Sequence, residues 1–363
     1  MATTVRAAVQ VGPRQIELRE FPRPGVAADD AWLRLERCGI CGSDVEQYQG
    51  HLGGRYPSIP GHEPLGVIED IGDRAAQRWG VQPGDRVAVE ILIPCRSCDL
   101  CLTGQYMACR SRKGGYSTML TSVEPALWGG YAEYLYLHPN AIVHKVRNDL
   151  PADLAVMFNP LGAGVRWALH YGGLQLGDTL LILGPGQRGL CALIAAKAVG
   201  AGTVIVTGLS KDEHKLRLAR EFGADYTINV EQENTVERVR DITGGAGADV
   251  VLDVTPIATQ PVLDAIAAVR HGGRVVLAGL KGRRSMEFVS DSIISKGATV
   301  LGAFGVDARA YLQAIRIIES RRFPLENMHT HTFGLDDTAR AIETLAGEVE
   351  GEQAVHVSIA PNG

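Results

Sequence analysis

Four cysteines in a short polar stretch constrain this chain more than any other feature. Cys95-Arg96-Ser97-Cys98-Asp99-Leu100-Cys101 sets three thiols at three-residue steps, and Cys109 follows shortly after. Zinc takes four soft ligands in a tetrahedron with Zn–S arms of about 2.3 Å. Thiols three residues apart in a tight turn can meet one ion, a third at the same step joins them, and a fourth from a returning loop closes the shell. Four thiolates leave no open position, so this site orders its loop instead of doing chemistry. The lobe is expected over about residues 92–112, held by roughly 10–16 kcal/mol of metal-binding energy.

A second donor set lies upstream. Gly39-Ile40-Cys41-Gly42-Ser43-Asp44 and Gly61-His62-Glu63 offer a thiolate and an imidazole, a pair of intermediate softness suited to zinc. A catalytic zinc keeps three protein ligands and one open position. There it acts as a Lewis acid on an alcohol or carbonyl oxygen and lowers the alcohol pKa. Asp44 can accept a hydrogen bond from the far ring nitrogen of His62. Ser43, two residues from the thiolate, can pass the alcohol proton outward. Of the seven cysteines, Cys38 and Cys191 are left unassigned. Cys191, in an apolar helical run, reads as a buried small side chain.

A glycine-rich turn supplies the third motif. Gly184-Pro185-Gly186-Gln187-Arg188-Gly189 follows the apolar run Leu180-Leu181-Ile182-Leu183 and opens a helical pattern over 190–199. With a strand before and a helix after, such glycines let the backbone turn tightly and approach a pyrophosphate at the helix N-terminus. Arg188 can add a positive charge. The next strand, 203–207, ends where an acidic residue normally binds the adenosine ribose, and Gly208 stands there instead. The missing carboxylate and the nearby Ser210 and Lys211 lean toward NADP, while Asp212 and Glu213 are close enough to bind a ribose of NAD.

The chain of 363 residues is too long for one ordinary core and points to two domains. Residues 1–157 carry short β-branched runs between turns, as at Trp32-Leu33-Arg34-Leu35, Val67-Ile68-Glu69-Asp70-Ile71 and Arg86-Val87-Ala88-Val89. They read as a mostly antiparallel β domain. Residues 158–300 alternate continuous apolar strands (180–183, 203–207, 250–254, 274–278) with helices (190–199, 213–222). That alternation implies a doubly wound parallel sheet covered on both faces, an α/β fold. A β-type run over 299–304, a helix over 308–321 and a strand over 354–359 follow, and residues 301–363 are expected to return to the first domain.

With 45% hydrophobic and 21% charged residues and a net charge of −5, the chain has the composition of a globular protein. It has no basic footprint for nucleic acid or a membrane surface. The start, Met-Ala-Thr-Thr-Val-Arg, has no long apolar core and no run approaches the roughly 20 residues of a membrane span. A cytoplasmic location is expected, where thiols favour metal or catalytic roles over disulfides.

Together these residues, with Pro64-Leu65-Gly66 and Trp128-Gly129-Gly130-Tyr131-Ala132-Glu133-Tyr134, resemble the zinc-containing medium-chain dehydrogenases: alcohol, sorbitol and threonine dehydrogenases. The resemblance runs over nearly the whole chain. It implies a GroES-like catalytic domain and a Rossmann domain, with the active site in the cleft between them. It implies a catalytic zinc on Cys41 and His62, with Glu63 a ligand or a neighbour that trades places with water, and a structural zinc on Cys95, Cys98, Cys101 and Cys109. It also implies homodimers or homotetramers joined near Val300 to Phe304. Two positions depart from the family pattern. Asn159 stands where a third catalytic ligand is a Cys, Asp or Glu. Glu46 stands where many relatives carry a proton-relaying histidine, so the proton path is expected to run from Ser43 to Glu46 or through the cofactor ribose.

The reaction expected is reversible hydride transfer between NAD(P) and an alcohol, secondary or polyol-like. Two alternatives stand beside it: a reductase of the same family without the catalytic zinc, and a nucleotide-binding sensor without turnover. Tyr48, Ile91, Trp128 and Phe304 are candidates for the pocket wall.

Overall fold

The computed structural model describes residues 3–363. It divides into two units, the first running to Phe158 and resuming over His329–Gly363, the second Asn159–Met328.

The first unit opens with an antiparallel hairpin, Thr3–Gly12 against Gln15–Arg23. Its main sheet has the order His329–Gly334, His356–Ala360, Ala31–Gly39, Glu63–Ile71, Arg86–Val89, Val143–Lys145, and Tyr134–Leu137 pairs with Ala31–Gly39 off this path. The strand Ala31–Gly39 explains where the site falls. Successive strand residues face opposite sides. Trp32 enters one apolar cluster with Ile40, Ile59 and Tyr131, whereas Leu33 and Leu35 enter another with Ile68, Val87 and Trp128. A strand buried on both faces delivers its end, and Cys41 just beyond it, into the interior.

The second unit is a six-stranded sheet in the order Tyr226–Asn229, Thr203–Gly208, Thr179–Leu183, Ala248–Asp253, Val269–Leu277, Thr299–Gly302, and every pair is parallel. Leu180, Leu181, Ile182, Val204, Ile205 and Val206 are fully buried, which is why their runs are continuously apolar. The winding reverses at Thr179–Leu183, whose neighbours are the next strand and a later one. The crevice beyond the carboxyl ends at such a reversal is where doubly wound sheets bind nucleotides.

The expected return to the first unit at residue 301 is corrected. Thr299–Gly302 extends the parallel sheet, from Arg274↔Thr299 to Leu277↔Gly302, and the return comes at His329. The helix Ala308–Glu319 buries Ala310, Tyr311, Ala314, Ile315 and Ile318. That stripe at helical spacing needs an apolar partner, and the helix belongs with the second unit. The strand that does return, His329–Gly334, reads His-Thr-His-Thr-Phe-Gly and carries too few apolar residues to announce itself.

This strand brings two histidines together. His329 Nδ1 lies 2.9 Å from His356 Nδ1, and the His356 ring is fully buried. Burial first, and the charge of His329 second, push the His356 pKa down to about 3 from an ordinary 6.5. The unfolded chain therefore binds a proton here that the folded chain refuses. Folding stability is fully present above about pH 6.5 and declines as pH falls toward 3, by about 1.4 kcal/mol per pH unit from this ring. Urea midpoints measured at pH 7, 6 and 5 should fall with pH in the native chain and fall less steeply in His356→Asn. Equal slopes for both proteins would remove His356 as the cause.

Candidate active site and metal centres

Three donors converge in the first unit. One ligand atom each from Cys41, His62 and Glu63 all lie within 4.8 Å of one another, and all three residues are buried. Antiparallel pairing brings them together, because Gly39 sits opposite Glu63. Cys41 follows Gly39 by two residues and precedes the helix Gly42–Tyr48. The glycines are there for space. A Cβ on Gly39 would lie 2.3 Å from Glu63 Oε2. Gly61 holds φ at +87°, and a Cβ there would sit 2.5 Å from the Tyr131 ring and 2.9 Å from Cys38 Sγ. The thiol of Cys38 is fully buried and pushed well up by that burial, so it serves as packing. Cys191 is likewise fully buried.

Asp44 organises the cluster. Its Oδ2 accepts the Cys41 N–H at 2.9 Å and its Oδ1 lies 3.1 Å from His62 Nδ1. A carboxylate only accepts, so Nδ1 donates and the Nε2 lone pair is left for a metal. His62 Nε2 is 4.0 Å from Glu63 Oε1. Burial opposes charge on His62, but Asp44 and Cys41 outweigh it and hold the ring pKa well above its ordinary value. A thiolate, an imidazole and a carboxylate are a donor set that fits zinc.

The four-cysteine lobe fits the metal by distance. Sulfurs on 2.3 Å arms to a tetrahedral zinc stand about 3.8 Å apart. Cys95 and Cys101 are 3.8 Å apart, Cys98 and Cys101 3.5 Å, and Cys98 and Cys109 3.8 Å. The turn between the first two depends on Arg96 at φ +61°, a left-handed residue whose guanidinium is tied to the carbonyls of Asn140 and Ala141. Backbone N–H groups of Ser97 and Cys98 lower the Cys95 pKa to about 6. Partial burial and the adjoining sulfurs push Cys101 up to about 12. Sulfurs this close ionise together only around a cation, which is what zinc would supply.

In the second unit, Gly184 turns the chain at φ +109° and a Cβ on Gly189 would lie 2.0 Å from the Gly184 carbonyl oxygen. Only glycine permits that approach, which starts the helix Gln187–Val199 directly after the turn, the arrangement in which helix N-termini bind phosphates. Arg188 is turned aside: its guanidinium bonds Asn159 Oδ1 at 3.1 Å and lies over the Trp167 ring. The other end of the Asn159 amide donates to the Tyr311 hydroxyl at 2.9 Å. Ser210 N–H donates to Glu231 Oε2 at 2.7 Å, a carboxylate that motif spacing did not bring to this place.

Other residues resolve as follows. Ser43 is half-buried on the helix Gly42–Tyr48. Glu46 Oε2 is 3.1 Å from His51 Nδ1, a histidine the sequence reading passed over. Tyr48 donates its hydroxyl to Glu343 and Trp128 its indole N–H to Val123, so both serve the framework. Phe304 is 66% exposed.

A four-cysteine lobe, a buried set of three mixed metal donors and a glycine turn on a parallel sheet are the parts a metal-dependent dehydrogenase requires. Comparison with known proteins agrees. Residues 27–148 match the alcohol dehydrogenase GroES-like domain, and residues 189–320 match the zinc-binding dehydrogenase domain. The chain is 44% identical over 362 residues, 98% of each chain, to a probable alcohol dehydrogenase of Mycobacterium tuberculosis. It is 34% identical, again over 98% of each, to an erythritol/L-threitol dehydrogenase of Mycolicibacterium smegmatis. A solved alcohol dehydrogenase from Thermotoga maritima superposes with a TM-score of 0.87 at 26% identity, covering 99% of this chain and 100% of that one. The chain belongs to the zinc-containing medium-chain dehydrogenases, oxidoreductases that act on CH–OH groups with zinc and a nicotinamide cofactor.

Proposed function

We propose that this chain oxidises a secondary or polyol-like alcohol reversibly, at a catalytic zinc held by Cys41, His62 and Glu63. The observation that carries this is the convergence of those three buried donors within 4.8 Å. Zinc bound there supplies a Lewis acid for the alcohol oxygen, and the nicotinamide cofactor supplies the hydride chemistry.

The chain's own residues position and move the proton. Asp44 fixes the His62 tautomer and anchors the Cys41 backbone. Ser43 and Glu46 are three apart on one helix and so share a face. Ser43 receives the alcohol proton, Glu46 takes it on, and His51, bonded to Glu46, delivers it to water. Asn159 is a positioning group in the second unit, its amide engaged with Arg188 and Tyr311. Its neutrality is what keeps the reading without a catalytic zinc in view.

Gly184, Gly186, Gln187 and Gly189 would hold the dinucleotide's pyrophosphate, and Gly208, Ser210 and Lys211 its adenosine ribose. Gly208 and Lys211 lean toward the 2′-phosphorylated cofactor, and Glu231 at Ser210 leans against it. Assembly into homodimers or homotetramers is supported by the edge strand Thr299–Gly302 and the exposed Ile294 and Phe304 near it. Sedimentation as a monomer at micromolar concentration would contradict that. A cytoplasmic location is supported by seven cysteines that form no disulfide, and fractionation of the cells that make the protein tests it. Among the described residues no helix is long and apolar enough to cross a membrane.

A panel of secondary alcohols, polyols and the matching ketones, each with both nicotinamide cofactors, tests the function. At least one pair should change the absorbance of the reduced nicotinamide. Tight cofactor binding with no turnover across the panel would instead support a nucleotide-binding protein without catalysis.

A further inference from the structure

The end of the strand Thr203–Gly208 holds a carboxylate supplied from outside the glycine motif. The strands Thr203–Gly208 and Tyr226–Asn229 run parallel with Gly208 opposite Asn229, and Val230 N–H bonds the Gly208 carbonyl at 3.0 Å. That register carries Glu231 alongside Ser210, where its Oε2 accepts the Ser210 N–H at 2.7 Å. Asn229 braces both partners. Its Nδ2 donates to Ser210 Oγ at 3.0 Å, and its Oδ1 accepts the Glu231 N–H at 3.1 Å.

Position 208 itself has no room for an acid. A Cβ there would lie 2.8 Å from Pro185 Cγ and 3.1 Å from Leu216 Cδ2, and the proline ring of the glycine turn does not swing away. The two nearer carboxylates are committed elsewhere. Asp212 accepts from Leu209 N–H and from Lys215, and Glu213 pairs with Arg220 along its helix. Glu231 is the carboxylate that reaches the backbone where an adenosine ribose ends. Hydrogen bonds from Ser210, with Lys211 adding its charge, hold it below the usual carboxylate range, so it is ionised at neutral pH.

We propose that Glu231 is the residue that selects between the two nicotinamide cofactors, favouring the unphosphorylated dinucleotide. This rests on the dinucleotide reading of the glycine turn. A carboxylate accepts hydrogen bonds from ribose hydroxyls. A 2′-phosphate brings about −1.5 to −2 charges, which the ionised Glu231 repels, and Glu231 already occupies the Ser210 N–H. The apparent opening for a phosphate at Gly208 and Lys211 is thereby filled from the neighbouring strand.

Titration calorimetry of the full-length, zinc-loaded chain with ADP-ribose and with 2′-phospho-ADP-ribose tests this without involving nicotinamide or turnover. The native chain should bind ADP-ribose more tightly, by about tenfold or more, the scale of one hydrogen bond to a charged group. Glu231→Gln keeps the size and removes the charge, and should narrow that ratio about tenfold, chiefly by tightening the 2′-phosphorylated compound. Unchanged ratios in Glu231→Gln, or tighter binding of the 2′-phosphorylated compound by the native chain, would overturn the assignment. Failure of both proteins to bind either compound would overturn the dinucleotide reading, and the assignment with it.

Discussion

Cys41→Ala is expected to remove turnover and leave the fold standing. The side chain is 5% exposed and precedes a helix whose first turn is held by Asp44, through the backbone N–H of residue 41. That backbone bond survives the substitution. The cost to folding should be about 1 kcal/mol, the scale of a lost N-cap side chain, against a typical total stability of roughly 5–15 kcal/mol. The cost to chemistry is much larger. Electrophilic stabilisation by a bound metal is worth several kcal/mol, and each 1.4 kcal/mol is about tenfold in rate, so kcat/KM should fall by about a thousandfold or more. Asp44→Asn should give a graded loss of about 10–100-fold, because an amide cannot accept from both the Cys41 N–H and His62 Nδ1. Unchanged turnover in a folded Cys41→Ala protein would end the proposed mechanism.

The second large effect lies in the four-cysteine lobe. Cys109→Ser exchanges a thiolate for a hydroxyl that does not hold zinc at neutral pH. The lobe has little else to order it. The helix Asp99–Leu102 is a single turn without buried residues, and Leu102 is 74% exposed. Its base is pinned by the short pairing of Leu92–Ile93 with Gly114–Gly115 and by the bond from Tyr106 to Glu90. Metal binding worth roughly 10–16 kcal/mol would therefore order a segment with almost no apolar burial of its own. Its loss should open the lobe locally, because the cores of the two units are built from other residues. Limited proteolysis should cut Cys109→Ser within 95–113 and spare the native chain there. Identical digestion of the two proteins would show that the lobe does not depend on its metal.

Much of this was legible in the sequence for identifiable physical reasons. Strands buried on both faces advertise themselves, so 180–183 and 203–207 were read within a residue of Thr179–Leu183 and Thr203–Gly208. Thiols at fixed steps carry their own geometry, and Cys95, Cys98, Cys101 and Cys109 do meet. The strand Gln15–Arg23 escaped notice because neither face is fully buried. The late return at His329 was hidden by a polar strand and by a parallel pairing of Thr299–Gly302 that spacing does not encode. Glu231 was out of reach for the same reason. It arrives beside Ser210 through the register of two strands, whereas Gly208, standing at the place of the motif's expected acid, could be read directly. The bond between Asp44 and His62 was legible because both residues belong to the motifs, whereas the second bond of Asp44, to the Cys41 N–H, emerges only in the structure.

Zinc content measured on the native chain and on Cys41→Ala, with turnover assayed on the same samples, tests the central claim most directly. Two zinc ions per native chain, one per Cys41→Ala chain, and activity lost with the missing ion are the results expected here. One zinc per native chain, with full turnover and no change on Cys41→Ala, would contradict the account and leave the four-cysteine lobe as the chain's single metal site.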